Sequence, residues 1–513
     1  MENMRFFFGL IISIILSLTI TATAQNLPPA DVLSAEQFKE DFAVYKKALL
    51  TLHPGIYRYQ TANNLEKIFA RTDKQLKNIG SEQEFFVLLA QTTSQIRCAH
   101  TYLNPDNQTD EIQERLFNRK TLMPFYFRFV DEKMIVTGNV SSTTLAVGSE
   151  ITKINGAPVR EIIGRLLSII AADGNNNTAA NRLNQLEIDF FRGSHFAAFD
   201  IYFPLLFPLK NETFAIEAIN YGERTPRKFQ VSAMTKDERV AETEKRYGKI
   251  PDYDDAWRFE IRADKIAYLK IANSETWELK KVDWKKFLTD AFAEMRRQSV
   301  KNLIIDLRGN DGGDTSLGFE LARYLARENL PVYIDSKRLV RNVSAQPELL
   351  QYITAYNKKL KTILQNGFPA EMYRKADNGY FEILPNKDFA DFLPVTPTEN
   401  SFAGRTFIIS DSSNASATFR FLEYAQKNKL ATIIGQPTGG NKQGINGGSF
   451  LFLRLPNSKI EVDIPVFFAP PRTLAKDQGV TPDTIVKPKI DDIAKSLDTE
   501  LTYVQRRIEA ARK

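Results

Sequence analysis

Three stretches far apart in the chain carry residue types that could do chemistry together. In I-I-S-D-S-S-N-A-S-A-T-F-R-F-L, residues 408–422, Ser416 stands where a loop enters a helix, and its neighbours Ala415 and Ala417 leave the hydroxyl accessible. A serine there gains from the helix dipole once an alkoxide or oxyanion forms, which is the chemistry of a nucleophile. Cap preferences taken alone favour the plainer reading of a helix N-cap. In L-I-I-D-L-R-G-N-D-G-G, residues 303–313, an apolar strand ends in a glycine-rich turn before a helix. Such a turn offers backbone N–H groups to an anion or a developing oxyanion, although an ordinary tight βα turn has the same look. It lacks the lysine and hydroxyl of a phosphate loop and is not G-x-G-x-x-G. The third stretch is R-C-A-H-T-Y-L, where His100 follows a helix. A neutral imidazole near a serine can take its proton and return it to a leaving amine, but a lone histidine is more often a structural residue. His53, in L-H-P-G-I-Y, precedes a proline and reads as a structural helix end, while His195 has no clear element around it. The turns G-Q-P-T-G-G-N-K-Q-G (435–444) and D-Q-G-V-T-P-D (477–483) could line the same site.

Composition narrows what such a site serves. The chain has 513 residues, with 68 Lys+Arg against 62 Asp+Glu, a net charge of +6. That charge is small for the length, and no dense basic run interleaved with aromatics occurs, so nucleic acid is not the natural partner. One cysteine, Cys98, excludes an intramolecular disulfide and cysteine-based zinc sites. The chemistry sketched above calls for no metal or organic cofactor.

The elements that must position these residues follow from periodicity. Residues 1–24 read as an export signal: a basic residue, a mainly apolar stretch of fifteen residues from Phe6 to Ile20, and Ala22-Thr23-Ala24, with cleavage leaving Gln25 first. The apolar run is shorter than the ~20 residues that span a bilayer, and no later segment is long and apolar enough. The expected mature protein is exported, periplasmic or extracellular, with no stable membrane span. Residues 25–120 are predicted to form a helical domain, from the spacing of Phe38, Phe42, Tyr45 and Leu49 and of Phe85, Leu88 and Leu89. Residues 122–235 shift to short strand-like runs around V-G-S-E-I-T-K-I-N-G-A-P-V (147–159), where Asn155-Gly156 marks a tight turn. Residues 160–190 read as helical, and 245–255 as a linker. From 256 to 490, strands and helices alternate, which predicts an α/β core with parallel strands. Residues 337–400 interrupt it with Pro-punctuated, helical-looking sequence, an insertion that could serve as a lid, and 491–513 read as a C-terminal helix.

Taken in order, I-D-L-R-G-N-D-G-G, N-A-S-A-T, G-Q-P-T-G-G and G-V-T-P-D resemble the tail-specific (C-terminal-processing) serine peptidase family, and V-G-S-E-I-T-K-I-N-G resembles a PDZ signature. The resemblance covers most of residues 30–490. It implies an α/β fold: a mixed-sheet peptidase core, an N-terminal helical domain and a PDZ-like β-rich domain. The family has two catalytic designs. One pairs serine with lysine; that lysine position falls on Asn441, with Lys442 one residue later. The tricorn-core-like branch pairs serine with a histidine in D-x-H-T, and C-A-H-T here supplies His100. The expectation is therefore an exported endopeptidase cleaving polypeptides, with Ser416 as nucleophile and His100 as general base. Asp477 is the nearest acid to orient the histidine, since the family glutamate position falls on Lys476. The resemblance puts the oxyanion hole at the N–H groups of Ala417 and Gly312, with Gly313 as the fallback. It assigns substrate capture to a sheet edge of the PDZ-like domain. The alternatives are a Ser416/Lys442 dyad, a catalytically inactive peptide-binding protein of the same fold, and an esterase on the same hardware.

Overall fold

Helices open the chain because apolar residues recur there at helical spacing. α1 (Ala35–Leu52) buries Phe38, Phe42, Tyr45 and Leu49 and begins on a capping box, with Ser34 Oγ accepting the Gln37 N–H at 3.2 Å and the Gln37 side chain accepting the Ser34 N–H at 2.8 Å. α2 (Ala62–Leu76), α3 (Glu82–Ser94) and α4 (Asp110–Leu116) follow, each with a Thr or Ser N-cap. The computed structural model describes residues 33–176, 179–189, 197–355, 358–384, 393–473 and 475–511. The export-signal segment and His195 lie outside them. Among the described residues no helix is long and apolar enough to cross a membrane.

A PDZ-like, antiparallel sheet comes next. Its strands are β1 (Phe125–Val130), β2 (Lys133–Asn139), β3 (Glu150–Ile154), β4 (Ala157–Pro158), β5 (Thr213–Ile219) and β6 (Arg227–Ser232), in the order β1-β2-β3-β5-β6 with β4 beside β3. Asn155 (φ +51°) and Gly156 (φ +82°) make the left-handed turn between β3 and β4 that the Asn-Gly pair predicts. Helices α5 (Val159–Leu167), α6 (Ala179–Leu186) and α7 (Ala198–Leu206) lie between β4 and β5, and α8 (Lys236–Tyr247) follows β6. Helix α8 thus runs into the first residues of the stretch expected to be a linker.

The α/β core is built on β7 (Trp257–Ile261), β8 (Ile266–Ile271), β9 (Asn302–Asp306), β16 (Arg405–Ser410), β17 (Thr432–Gly435) and β20 (Thr484–Ile485), in the order β20-β17-β16-β9-β8-β7. All neighbours are parallel except β7, which pairs antiparallel with β8. Every residue of β9 is buried, as expected of a central strand covered on both faces. One face packs α9 (Trp284–Arg297), α10 (Thr315–Leu325) and α13 (Ser416–Lys427), and the other packs Val504 and Ile508 of α15 (Thr499–Ala510), which follows the short α14 (Ile490–Ala494).

The segment expected as a helical, Pro-punctuated insertion, residues 337–400, mixes helices with short strands. After β10 (Leu330–Val332), which precedes it, it carries β11 (Leu339–Val340), α11 (Pro347–Leu350), β12 (Ile353–Ala355), α12 (Lys358–Asn366), β13 (Tyr373–Lys375), β14 (Phe381–Ile383) and β15 (Pro394–Val395). β11, β12, β13 and β14 join β18 (Ile445–Arg454) and β19 (Glu461–Ala469) in the order β12-β18-β19-β11-β14-β13. Long strands later in the chain recruit these short ones, and a three-residue strand carries too little periodicity to be read locally.

Candidate active site

The turn after β9 and the loop before α13 are stitched together by side-chain amides and a carboxylate. Asn310, fully buried, accepts hydrogen bonds on Oδ1 from Ser274 Oγ (3.0 Å), Thr418 Oγ1 (2.7 Å) and the Gly312 N–H (3.1 Å), and donates to the Ile271 carbonyl (3.0 Å). Asn414 donates to the carbonyls of Leu307 (2.6 Å) and Asn310 (3.0 Å). Asp411 accepts the N–H groups of Gly309 (3.1 Å) and Ser413 (2.9 Å). Below the turn, Arg308 pairs with Asp306 (2.7 Å) and Asp498 (2.6 Å), which holds the Asp306 carboxyl far below the usual range against the opposing effect of burial.

This framework presents Ser416 at the first position of α13 with φ +46°, the left-handed region that a non-glycine residue rarely occupies. A Cβ at Gly312 would stand 2.7 Å from Ser416 Cβ and 3.1 Å from the Ala417 nitrogen, so the turn approaches the serine as closely as only a glycine allows. The Ser416 hydroxyl and the N–H groups of Ala417 and Gly313 form no hydrogen bond to a described residue. The Gly312 N–H is engaged by Asn310. The structure thus brings Ser416, Ala417, Gly312 and Gly313 together.

The loop 436–444 lies against the same helix mouth. The Gly439 N–H donates to the Asn414 carbonyl (2.9 Å), a Cβ at Gly440 would stand 2.7 Å from Phe419 Cβ, and the Lys442 N–H donates to the Gln478 carbonyl (2.9 Å). Burial pushes the Glu423 carboxyl of α13 up, while Arg420, Lys442 and Lys427 pull it down, so the Lys442 charge is felt on the helix that begins with Ser416. Asp477 does not meet His100. Its oxygens accept the Asn175 N–H (3.0 Å), Asn175 Nδ2 (2.6 Å) and Asn441 Nδ2 (2.6 Å), so it ties two loops together. Asp483 likewise fastens β17 to α13, accepting from the Ile433 N–H (2.8 Å) and Gln426 Nε2 (3.2 Å).

His100 is half-buried, its ring stacked on Phe450 at 5.8 Å between centroids. Its Nδ1 has no hydrogen-bond partner, and among the described residues no hydrogen bond joins it to Ser416. Burial lowers its pKa, with Asp173 opposing the shift and Arg420 adding to it. His53 is structural: fully buried, with its pKa pushed down to about 3 chiefly by burial, it bonds Thr101 Oγ1 (2.8 Å) and accepts the Gly55 N–H (3.1 Å). Cys98 is buried as well, with an Asn446 amide donating to its sulfur at 3.2 Å.

Sequence reasoning missed Asn310, Asp173, Asn176 and Asn184. Asp173 is fully buried and accepts the Ala99 N–H at 2.9 Å, and Asn176 donates to the carbonyls of Thr438 (3.0 Å) and Gly440. The run G-N-N-N after Asp173 was a visible signal, but it marks a turn as readily as a site.

An unbonded serine at a helix mouth, beside a glycine turn on a parallel α/β sheet, defines a serine hydrolase architecture. Residues 265–486 match the model of peptidase family S41, a family of serine-type peptidases. No curated protein matches the sequence at a significant level. Among solved structures, mature CPAF complexed with lactacystin is 14% identical, with 90% of this chain and 95% of that chain covered and a TM-score of 0.59. A second structure of mature CPAF gives 14%, 90%, 94% and 0.58. At that identity the likeness shows a shared fold. The expected pairing of Ser416 with His100 as its base is overturned. The family match supports the serine–lysine design instead, and the histidine shares no hydrogen bond with the serine.

Proposed function

We propose that the protein is an exported endopeptidase in which Ser416 attacks the scissile carbonyl and Lys442, in the loop beside the helix mouth, takes the hydroxyl proton and passes it to the leaving amine. The tetrahedral oxyanion is held by the N–H of Ala417 and by the glycine turn, where Gly313 has the N–H without a described partner. The observation that carries this reading is the left-handed φ of Ser416 at the mouth of α13, pressed against Gly312. A strained strand-to-helix turn that exposes a serine Oγ is how an attacking hydroxyl is raised out of a sheet. The segment 1–24 supports export, and sequencing the mature N-terminus tests it, with Gln25 expected first.

A serine-directed phosphonate probe tests the chemistry. Labelling of the wild-type chain and its loss in Ser416→Ala is the expected result; cleavage of casein at full rate by Ser416→Ala ends the proposal. Lys442→Ala is expected to lower kcat by roughly 10²–10⁴-fold, the range for a general base. Lys442→Arg gives no rescue, because a guanidinium does not deprotonate. An unchanged rate in Lys442→Ala removes the lysine from the mechanism.

A further inference from the structure

The PDZ-like sheet has two outer strands. β6 exposes Arg227 and Lys228, charges of the kind that discourage strand addition. β1 is apolar, burying Phe125, Tyr126 and Phe127, and is the edge suited to receive an extended peptide. That edge is occupied by the chain itself. Phe127 and Ile188 exchange both backbone hydrogen bonds, at 3.0 and 3.2 Å, as an antiparallel bridge. The next outward donor, the Phe129 N–H, is taken by Glu187 Oε1 at 2.8 Å, and Glu187 lies 3.6 Å from the Arg128 guanidinium with its side chain only 6% exposed.

The other end of the same region touches the catalytic loops. Asn184 of α6 donates to Ser413 Oγ at 2.5 Å, in the loop just before Ser416. Upstream, Asn176 donates to the Thr438 carbonyl at 3.0 Å and to the Gly440 carbonyl, and the Asp173 carbonyl accepts Asn441 Nδ2 at 3.1 Å, in the loop that carries Lys442.

We infer that α6 is a positioning element for catalysis: Glu187 and Ile188 anchor its C-terminal end in the β1 edge, Asn184 fixes the Ser413 loop, and the PDZ-like sheet serves as the anchor for this strap rather than as an open edge that captures peptide. The inference rests on Ser416 as nucleophile. A loop that carries a nucleophile must be held to a fraction of an ångström, and misplacement from a distant change lowers turnover without weakening binding. A chain segment already paired to the edge also competes with any incoming strand at the high effective concentration of an intramolecular partner.

Steady-state kinetics on fluorescein-labelled casein, with amide hydrogen exchange, test this on the full chain. Asn184→Ala and Glu187→Ala are each expected to lower kcat roughly tenfold with KM unchanged, and the double variant to lose little more, because both act through one element. Asn184→Gln, which keeps an amide donor, should recover part of the loss. In a Ser416→Ala background, exchange at residues 411–415 is expected to rise in both variants, a readout that needs no turnover and so stands apart from the choice of nucleophile or base. Unchanged exchange there, or strictly additive losses, overturns the strap. Ile188→Pro tests the anchor, since it removes the edge donor. Binding of labelled casein to Ser416→Ala is expected to be the same with and without Ile188→Pro; tighter binding with the edge opened would make it a capture site held shut and overturn the anchor. Glu187→Ala serves the same comparison if the proline variant does not fold.

Discussion

Asn310 links five groups with one side chain and one carbonyl: two hydroxyls, a glycine N–H, a strand carbonyl and the Asn414 amide. Truncation to alanine leaves the buried Ser274 and Thr418 hydroxyls short of a partner, at about 1–3 kcal/mol for each group left unsatisfied. Asn310→Ala is expected to lower the urea midpoint with an unchanged m-value, and to lower kcat beyond what the lost stability accounts for. Asn310→Asp keeps the acceptor and loses the donor to Ile271, so its kcat should fall less. The role was not legible from the sequence. Asparagine in a glycine turn is ordinary turn chemistry, and its partners at 274 and 418 are brought near only by the closed sheet.

At the scale of elements, the core strands were readable because they are continuous apolar runs. The strands Ile266–Ile271 and Asn302–Asp306 and the helices α9 and α13 supply the alternation expected over 256–490. Local sequence failed where an element owes its shape to a distant partner. β11 has two residues and pairs with β19 only through Leu339 and Phe468. The contact between the β9 turn and α13 makes Gly312 the most sensitive position of the site. Gly312→Ala would place a methyl 2.7 Å from Ser416 Cβ at a φ of +123°. It is expected to lower kcat at least 10²-fold while the folded fraction, followed by circular dichroism, stays high. A variant with wild-type kcat would show that the turn can yield without disturbing the serine.

For the whole molecule, two buried groups set opposite limits on pH stability. His53, with a pKa of about 3 in the fold against an ordinary 6.5, stays neutral while the unfolded chain takes up a proton. Stability is therefore lost as pH falls from 6.5 toward 3. Asp463 is pushed up to about 7 by burial, against the amides of Asn104 and Asn107. Its contribution is full below an ordinary carboxyl pKa near 3.8 and is lost as pH rises through about 7. Denaturant titrations from pH 4 to 8 should show Asp463→Asn flatter than wild type on the alkaline side; parallel curves would remove Asp463 from the linkage. The sequence marked His53 as a structural helix end, but neither shift was visible in it, because each comes from the folded environment, as with Asp463 against the 104–107 loop.

The buried sulfur of Cys98 has one more consequence. Desolvation pushes its thiol up to about 11, so it is neutral and shielded while the chain is folded. With no second cysteine to pair with, it makes a built-in gauge of breathing. The rate at which a chromogenic disulfide reagent reacts with the native protein reports how often the Cys98–Asn446 contact parts, without any label being introduced.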